Sequence, residues 1–69
     1  METFTLTDDY IELTSLLKLC GPKVSGGEAK HLVSEGLVTV DNQIELRKKC
    51  KIRDGSTVKV KGFSIKVEK

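Results

Sequence analysis

Phe4 and Leu6 alternate with Thr3 and Thr5, the period-two pattern of a strand that buries one face. Tyr10 to Leu13 reads as a second extended piece, after which Thr14 caps a helix whose apolar positions, Leu13, Leu16, Leu17 and Cys20, recur at helical spacing. A start at Asp8 satisfies the same periodicity but opens the helix poorly with Tyr10 and Ile11, and both versions end at Gly21-Pro22. Leu16, Leu17 and Leu19 with Cys20 fill the inner side, so Lys18 is sent to the surface near a loop that carries Lys23. A second helix starts at Gly26. Ser25 can accept a hydrogen bond from the free amides of its first turn while Glu28 reaches back, and Ala29, Leu32 and Val33 form its apolar stripe, leaving Lys30, His31 and Ser34 on other faces.

Gly36 ends that helix through a left-handed backbone, and Val38 and Val40 then alternate with Thr39. Asp41-Asn42 tolerate positive φ and turn the chain into a strand from Gln43 to Leu46. Farther on, Val58 and Val60 alternate with Lys59 and Lys61, and after Gly62 the residues Phe63, Ile65 and Val67 alternate with Ser64 and Lys66. This is a second hairpin, with the valines, Phe63 and Ile65 on the core face and the lysines on the other. The pattern predicts an α+β fold in which two short helices pack on a small, mostly antiparallel sheet, with residues 1–69 forming a single domain.

A chain of 69 residues buries only about 60% of the surface its unfolded form exposes. With 38% hydrophobic residues and no tryptophan it can build one layer of helix on a sheet, not a deep enclosed active site. No stretch is apolar enough to span a bilayer, and the N-terminus lacks the basic-then-apolar pattern of a signal peptide, so the expected location is the cytoplasm. Cys20 and Cys50 are then expected as reduced thiols, Cys20 as a small buried hydrophobe and Cys50 among cations that favour its thiolate. Two distant cysteines with His31 do not make a zinc site, and no metal or other cofactor is expected. His31 and Ser34 lie at helical spacing without a third partner, which argues against an enzyme, and Asp8-Asp9 fit favourable charges near a helix start better than a metal site.

Charge changes this picture. Residues 1–46 carry a net charge of −5 and residues 47–69 a net charge of +7, and Arg47, Lys48, Lys49, Lys51 and Arg53 fall within seven residues. Such a cluster repels itself unless an anion or an acidic surface offsets it, although a solvated loop that keeps a small protein soluble accounts for it equally well. Gly26 and Gly27 expose helix-start amides that can seat a phosphate, or they simply relax the loop. Lys59, Lys61 and Lys66 fit protection of an exposed sheet face or edge better than a binding role. The few aromatics, Phe4, Tyr10 and Phe63, are scattered, which disfavours single-strand binding on stacking platforms.

The order of a short leucine helix ending in glycine, then Ser25, Ala29-Lys30, Val33, Gly36, Val38, Val40 and Asp41, resembles the RNA-binding domain named after ribosomal protein S-four. Tyr10-Ile11-Glu12-Leu13, Leu16-Leu17-Lys18-Leu19, Ser25-Gly26-Gly27 and Arg47-Lys48-Lys49-Cys50-Lys51-Ile52 are similar to its small stand-alone bacterial members of the YbcJ type. The resemblance runs from about Tyr10 to Val60 and departs from the broader family at Gly26, where an arginine is common. It implies an alpha-L motif and a monomeric, non-catalytic binder of structured RNA, ribosomal or transfer RNA, associated with the ribosome or serving an RNA-modifying enzyme in trans. The contact surface expected on that basis is Lys18, Lys23, Gly26, Gly27, Lys30, Arg47, Lys48, Lys49 and Lys51. The alternative is a protein-binding adaptor that docks this basic strip on an acidic partner or on an enzyme acting in trans.

Overall fold

The strand around Phe4 finds its partner at the far end of the sequence. In the computed structural model, which describes residues 1–69, β1 (Glu2–Thr5) pairs in parallel with β7 (Phe63–Glu68), Phe4 lying opposite Val67. The other elements, in chain order, are β2 (Ile11–Glu12), α1 (Leu13–Leu19), α2 (Gly26–Ser34), β3 (Val38–Val40), β4 (Gln43–Ile44), β5 (Lys51–Ile52) and β6 (Thr57–Val60). The five-stranded sheet has the order β1-β7-β6-β3-β4 and is antiparallel everywhere except at β1–β7. β2 and β5 form a separate antiparallel ribbon. The fold is α+β, two short helices on a mostly antiparallel sheet.

Both hairpins turn as their residues dictate. Asp41 and Asn42 sit at φ 51° and 70°, and Lys61 and Gly62 at 49° and 82°, the doubly positive pairs that match the twist of the flanking strands. One core cluster joins Leu13, Leu16 and Leu17 of α1 and Ala29, Leu32 and Val33 of α2 to Val38, Val58, Val60, Ile65 and Val67 of the sheet. Cys20 belongs to it, as its helical spacing predicts. Gly21 closes α1 at φ 68°, where glycine is favoured, and a Cβ there would stand 2.9 Å from Ile65 Cδ1, so a larger residue must displace that side chain between the helix end and β7.

α2 is built as its sequence predicts, with one bond missing. Ser25 Oγ accepts from the Glu28 amide at 3.2 Å, but the Glu28 carboxylate does not bond back to Ser25, so half of the capping box forms. At the other end Gly36 takes φ 74°, its amide donates to Val33 O and the Leu37 amide donates to Leu32 O, the paired closure of a Schellman motif.

Four expectations need correction. Thr14 does not cap α1: the helix starts at Leu13 after Glu12, which makes no side-chain cap bond. Leu19 is 56% exposed, because it falls outside the stripe set by Leu13, Leu16, Leu17 and Cys20. The strand expected to reach Leu46 stops at Ile44, with one further ladder bond from Glu45 N to Val38 O, and Ile44 and Leu46 are both exposed. Phe63 has the core-facing parity of Ile65 but is 43% exposed, since it stands where β7 leaves the turn and the core ends. Lys59 and Lys66 lie on β6 and β7, strands paired on both sides, so they cover the outer face of the sheet and not an edge.

Candidate nucleic-acid interface

The helix α1 needs partners for its first amides, and the basic segment supplies them. The Leu13 amide donates to Cys50 O at 2.9 Å and the Thr14 amide to Lys48 O at 3.2 Å. These carbonyls do what a capping side chain does elsewhere. They fasten the segment from Arg47 to Lys51 to the helix even though most of it has no regular structure. Within it the Cys50 amide donates to Arg47 O, forming a tight turn with Lys48 and Lys49 at its tip. Arg47, Lys49, Cys50 and Lys51 line an open depression of about 480 Å³. Arg47, Lys48, Lys49 and Lys51 are all exposed.

Glu45 shapes one wall of that depression. Its carboxylate receives the Arg47 backbone amide, Nε and Nη2, and Arg47 Nη2 also lies 3.8 Å from Cys50 Sγ. The Arg47 side chain hydrogen bonds and then its backbone amide hold the Glu45 carboxyl down to about 2. Cys50 is moved the opposite way from the expectation. Burial first, then a hydrogen bond and charge from Glu45, raise its thiol and outweigh the lowering effect of Arg47, so the thiol is favoured despite the nearby cation. Burial raises the Cys20 thiol too, helped by Glu2. Neither cysteine is in a disulfide.

The helical cations form a second group. Lys18 is exposed in the last turn of α1, and its Cδ would lie 3.7 Å from a Cβ placed on Gly26, so the lysine stem runs over the start of α2. Gly27 is open, with nothing within 4 Å of such a Cβ. Lys23 occupies the inter-helix loop at φ 51°, and Lys30 is exposed on α2. The basic turn is fastened at the first turn of α1 while Lys18 sits in its last, roughly 8 Å farther along at 1.5 Å of rise per residue. The nine predicted residues thus fall into a turn group and a helix group joined by α1.

Tyr10 and Arg53, beside the turn group, lie outside the expected contact surface. Tyr10, next to β2, has Lys51 Nζ 5.1 Å and Arg53 Cζ 5.5 Å from its ring centroid. Strands of two residues carry no period, so nothing local announced the β2–β5 pairing that brings Tyr10 to these cations. No group of three or more His, Cys, Asp or Glu side chains converges as a metal site would, and no helix is long and apolar enough to cross a membrane.

Comparison with known proteins gives this geometry its context. YbcJ of Escherichia coli (strain K12) and YbcJ of Shigella flexneri are each 47% identical over 68 residues, covering 97% of both chains. The solution structure of E. coli YbcJ, described as revealing an alpha-L motif involved in RNA binding, matches with a TM-score of 0.76 at 46% identity, over 100% of this chain and 89% of that one. The 30S ribosomal protein S4e of Thermoplasma acidophilum matches with a TM-score of 0.66 at 27% identity, over 84% of this chain and 31% of that one. The family model described as the S4 domain matches residues 4–68. By this match and by its likeness to YbcJ across nearly its whole length, the chain belongs to the S4 domain family.

Proposed function

We propose that residues 1–69 act as a single non-catalytic domain that binds structured RNA, of the ribosomal or transfer class, through Lys18, Lys23, Gly26, Gly27, Lys30, Arg47, Lys48, Lys49 and Lys51. The observation that carries this reading is the depression lined by Arg47, Lys49 and Lys51, on a turn fastened to α1 by two backbone hydrogen bonds. A fixed row of exposed cations suits phosphates whose spacing is itself fixed, as in an RNA helix, where shape and backbone are recognised before bases. The RNA-binding description of the YbcJ alpha-L motif supports the same conclusion. In this reading the protein works as a monomer in the cytoplasm and brings RNA to the ribosome or to an enzyme acting in trans.

The test is a salt series with a labelled structured ribosomal RNA fragment and a DNA duplex of matched length. Each phosphate neutralised contributes roughly −0.7 to −0.9 to the slope of log affinity against log salt. The expected result is preference for RNA with a steep slope, reduced when Arg47, Lys48, Lys49 and Lys51 are replaced together by Ala and again when Lys18, Lys23 and Lys30 are. Equal weak binding to both nucleic acids, or a folded turn variant that binds RNA as wild type does, would overturn it. Equal weak binding would also move the search to an acidic protein partner.

A further inference from the structure

The basic row does not stop at Lys51. Extending the β2–β5 register by one residue sets Tyr10 opposite Arg53, so Tyr10, Glu12, Lys51 and Arg53 share the outward face of the ribbon while Ile11 and Ile52 share the inward one. Lys51 belongs both to the depression with Arg47 and Lys49 and to the pair of cations at Tyr10. The row of positive charge therefore runs from the turn along β5 and ends against an aromatic ring. Tyr10 remains 37% exposed, and the Lys51 and Arg53 side chains lie over its ring, so a base stacks there as these flexible cations swing from the ring onto its phosphate.

The surroundings fix how a nucleotide would lie there. A second depression bordering Tyr10 is lined by Asp8, Asp9 and Glu12, whose carboxylates repel phosphate. Lys51 and Arg53 attract it. A strand reaching this place keeps its phosphate on the two cations and leaves its uncharged base to the ring. Inside a continuous duplex both faces of every base are already stacked, so only an unpaired base, in a bulge, loop or overhang, is free to take the position. The geometry points to a single-nucleotide subsite in which Lys51 and Arg53 hold a phosphate and Tyr10 stacks an unpaired nucleobase. The subsite rests on the RNA-binding reading above and adds to it a preference for RNA with an unpaired base over a fully paired helix.

The chain has one tyrosine and no tryptophan, so tyrosine emission reports Tyr10 alone. Emission, corrected for RNA absorbance, and binding are measured with a duplex RNA carrying one bulged nucleotide and with its fully paired, blunt counterpart. The expected result for wild type is tighter binding to the bulged duplex, with emission quenched. Tyr10→Leu then loses roughly 5- to 150-fold in affinity for the bulged duplex, the range for one base stacked on an aromatic side chain. Its salt slope stays unchanged, because stacking releases no counterions, and Tyr10→Phe binds as wild type does. Unquenched emission, or a folded Tyr10→Leu that binds the bulged duplex as tightly as wild type, overturns the subsite while leaving the RNA-binding reading intact. A smaller salt slope in Tyr10→Leu also overturns it, because the ring would then act only by positioning Lys51 and Arg53. Failure of the wild type to bind either duplex removes both.

Discussion

Arg47 is gripped by Glu45, two residues before it, through three hydrogen bonds: its amide and Nε reach Oε2 at 2.9 and 3.0 Å, and Nη2 reaches Oε1 at 3.1 Å. The Glu45 side chain is only 17% exposed, whereas that of Arg47 is 78% exposed. The acid is therefore the fixed partner, and the guanidinium is presented to solvent in one orientation with donors to spare. Exposed ion pairs contribute little to stability, so the value of this one lies in orientation.

The grip sets an acid limit. Glu45 titrates at about 2 against an ordinary 4.5, so the native state binds fewer protons than the unfolded one between those values. The pair's contribution is thus fully present above about pH 4.5 and is lost as pH falls towards 2. NMR titration of the Glu45 carboxyl should give a midpoint near 2 in the wild type and a value raised part of the way towards 4.5 in Arg47→Ala, which removes the guanidinium bonds but keeps the backbone amide of residue 47. A midpoint that did not move in the variant would mean that something other than the Arg47 side chain holds the carboxylate ionised.

Cys50 should be a slow nucleophile despite the cations around it. Burial and Glu45 raise its thiol pKa, so its alkylation by iodoacetamide at pH 7 should lag behind that of free cysteine. Glu45→Gln removes the charge that helps to raise it and should speed the reaction. Alkylation faster than that of free cysteine would contradict the assignment.

Glycines at similar dihedrals should differ in their tolerance of a methyl group. Gly62, at φ 82° with open space where a Cβ would stand, should cost about 1–2 kcal/mol as Ala, the strain of a left-handed backbone alone. Gly21→Ala should cost clearly more, because its Cβ must also displace Ile65 Cδ1 from 2.9 Å. Urea denaturation of the two variants orders them, and equal midpoints would show that Ile65 gives way freely.

The second helix offers a local comparison. Ser25→Ala should lose about 1 kcal/mol with its single cap bond. Leu16→Ala, which empties a fully buried site in the one core, should lose about 2–5 kcal/mol. In a domain this small the second loss should leave a large unfolded fraction at room temperature, visible by circular dichroism.

What could be read from the sequence was what is local. Ser25, the stripe of Ala29, Leu32 and Val33, and Gly36 specify a helix and both its ends within twelve residues, and the positive-φ pair Asp41-Asn42 specifies the turn of the first hairpin. The cap of α1 was not legible, because its acceptors are backbone carbonyls of Lys48 and Cys50, far along the chain and independent of side-chain identity. The same limit applies to the candidate interface. The charge run named Arg47 to Lys51 without showing that Glu45 orients one of them, and Tyr10 looked isolated until β2 met β5.

The parallel pairing of β1 with β7 sets an order of events in the making of this protein. Residues 2–5 leave the ribosome early but have no hydrogen-bonding partner until residues 65–68 follow. Until then Phe4 and Leu6 have no strand to lie beside, and the core lacks Ile65 and Val67. The helices and the first hairpin can form as they emerge, whereas the closing step of the sheet must wait for β7. A nascent chain halted before β7 would thus expose its leading strand and half-covered core to chaperones and proteases, so slow translation of the segment ahead of β7 would lengthen that exposure.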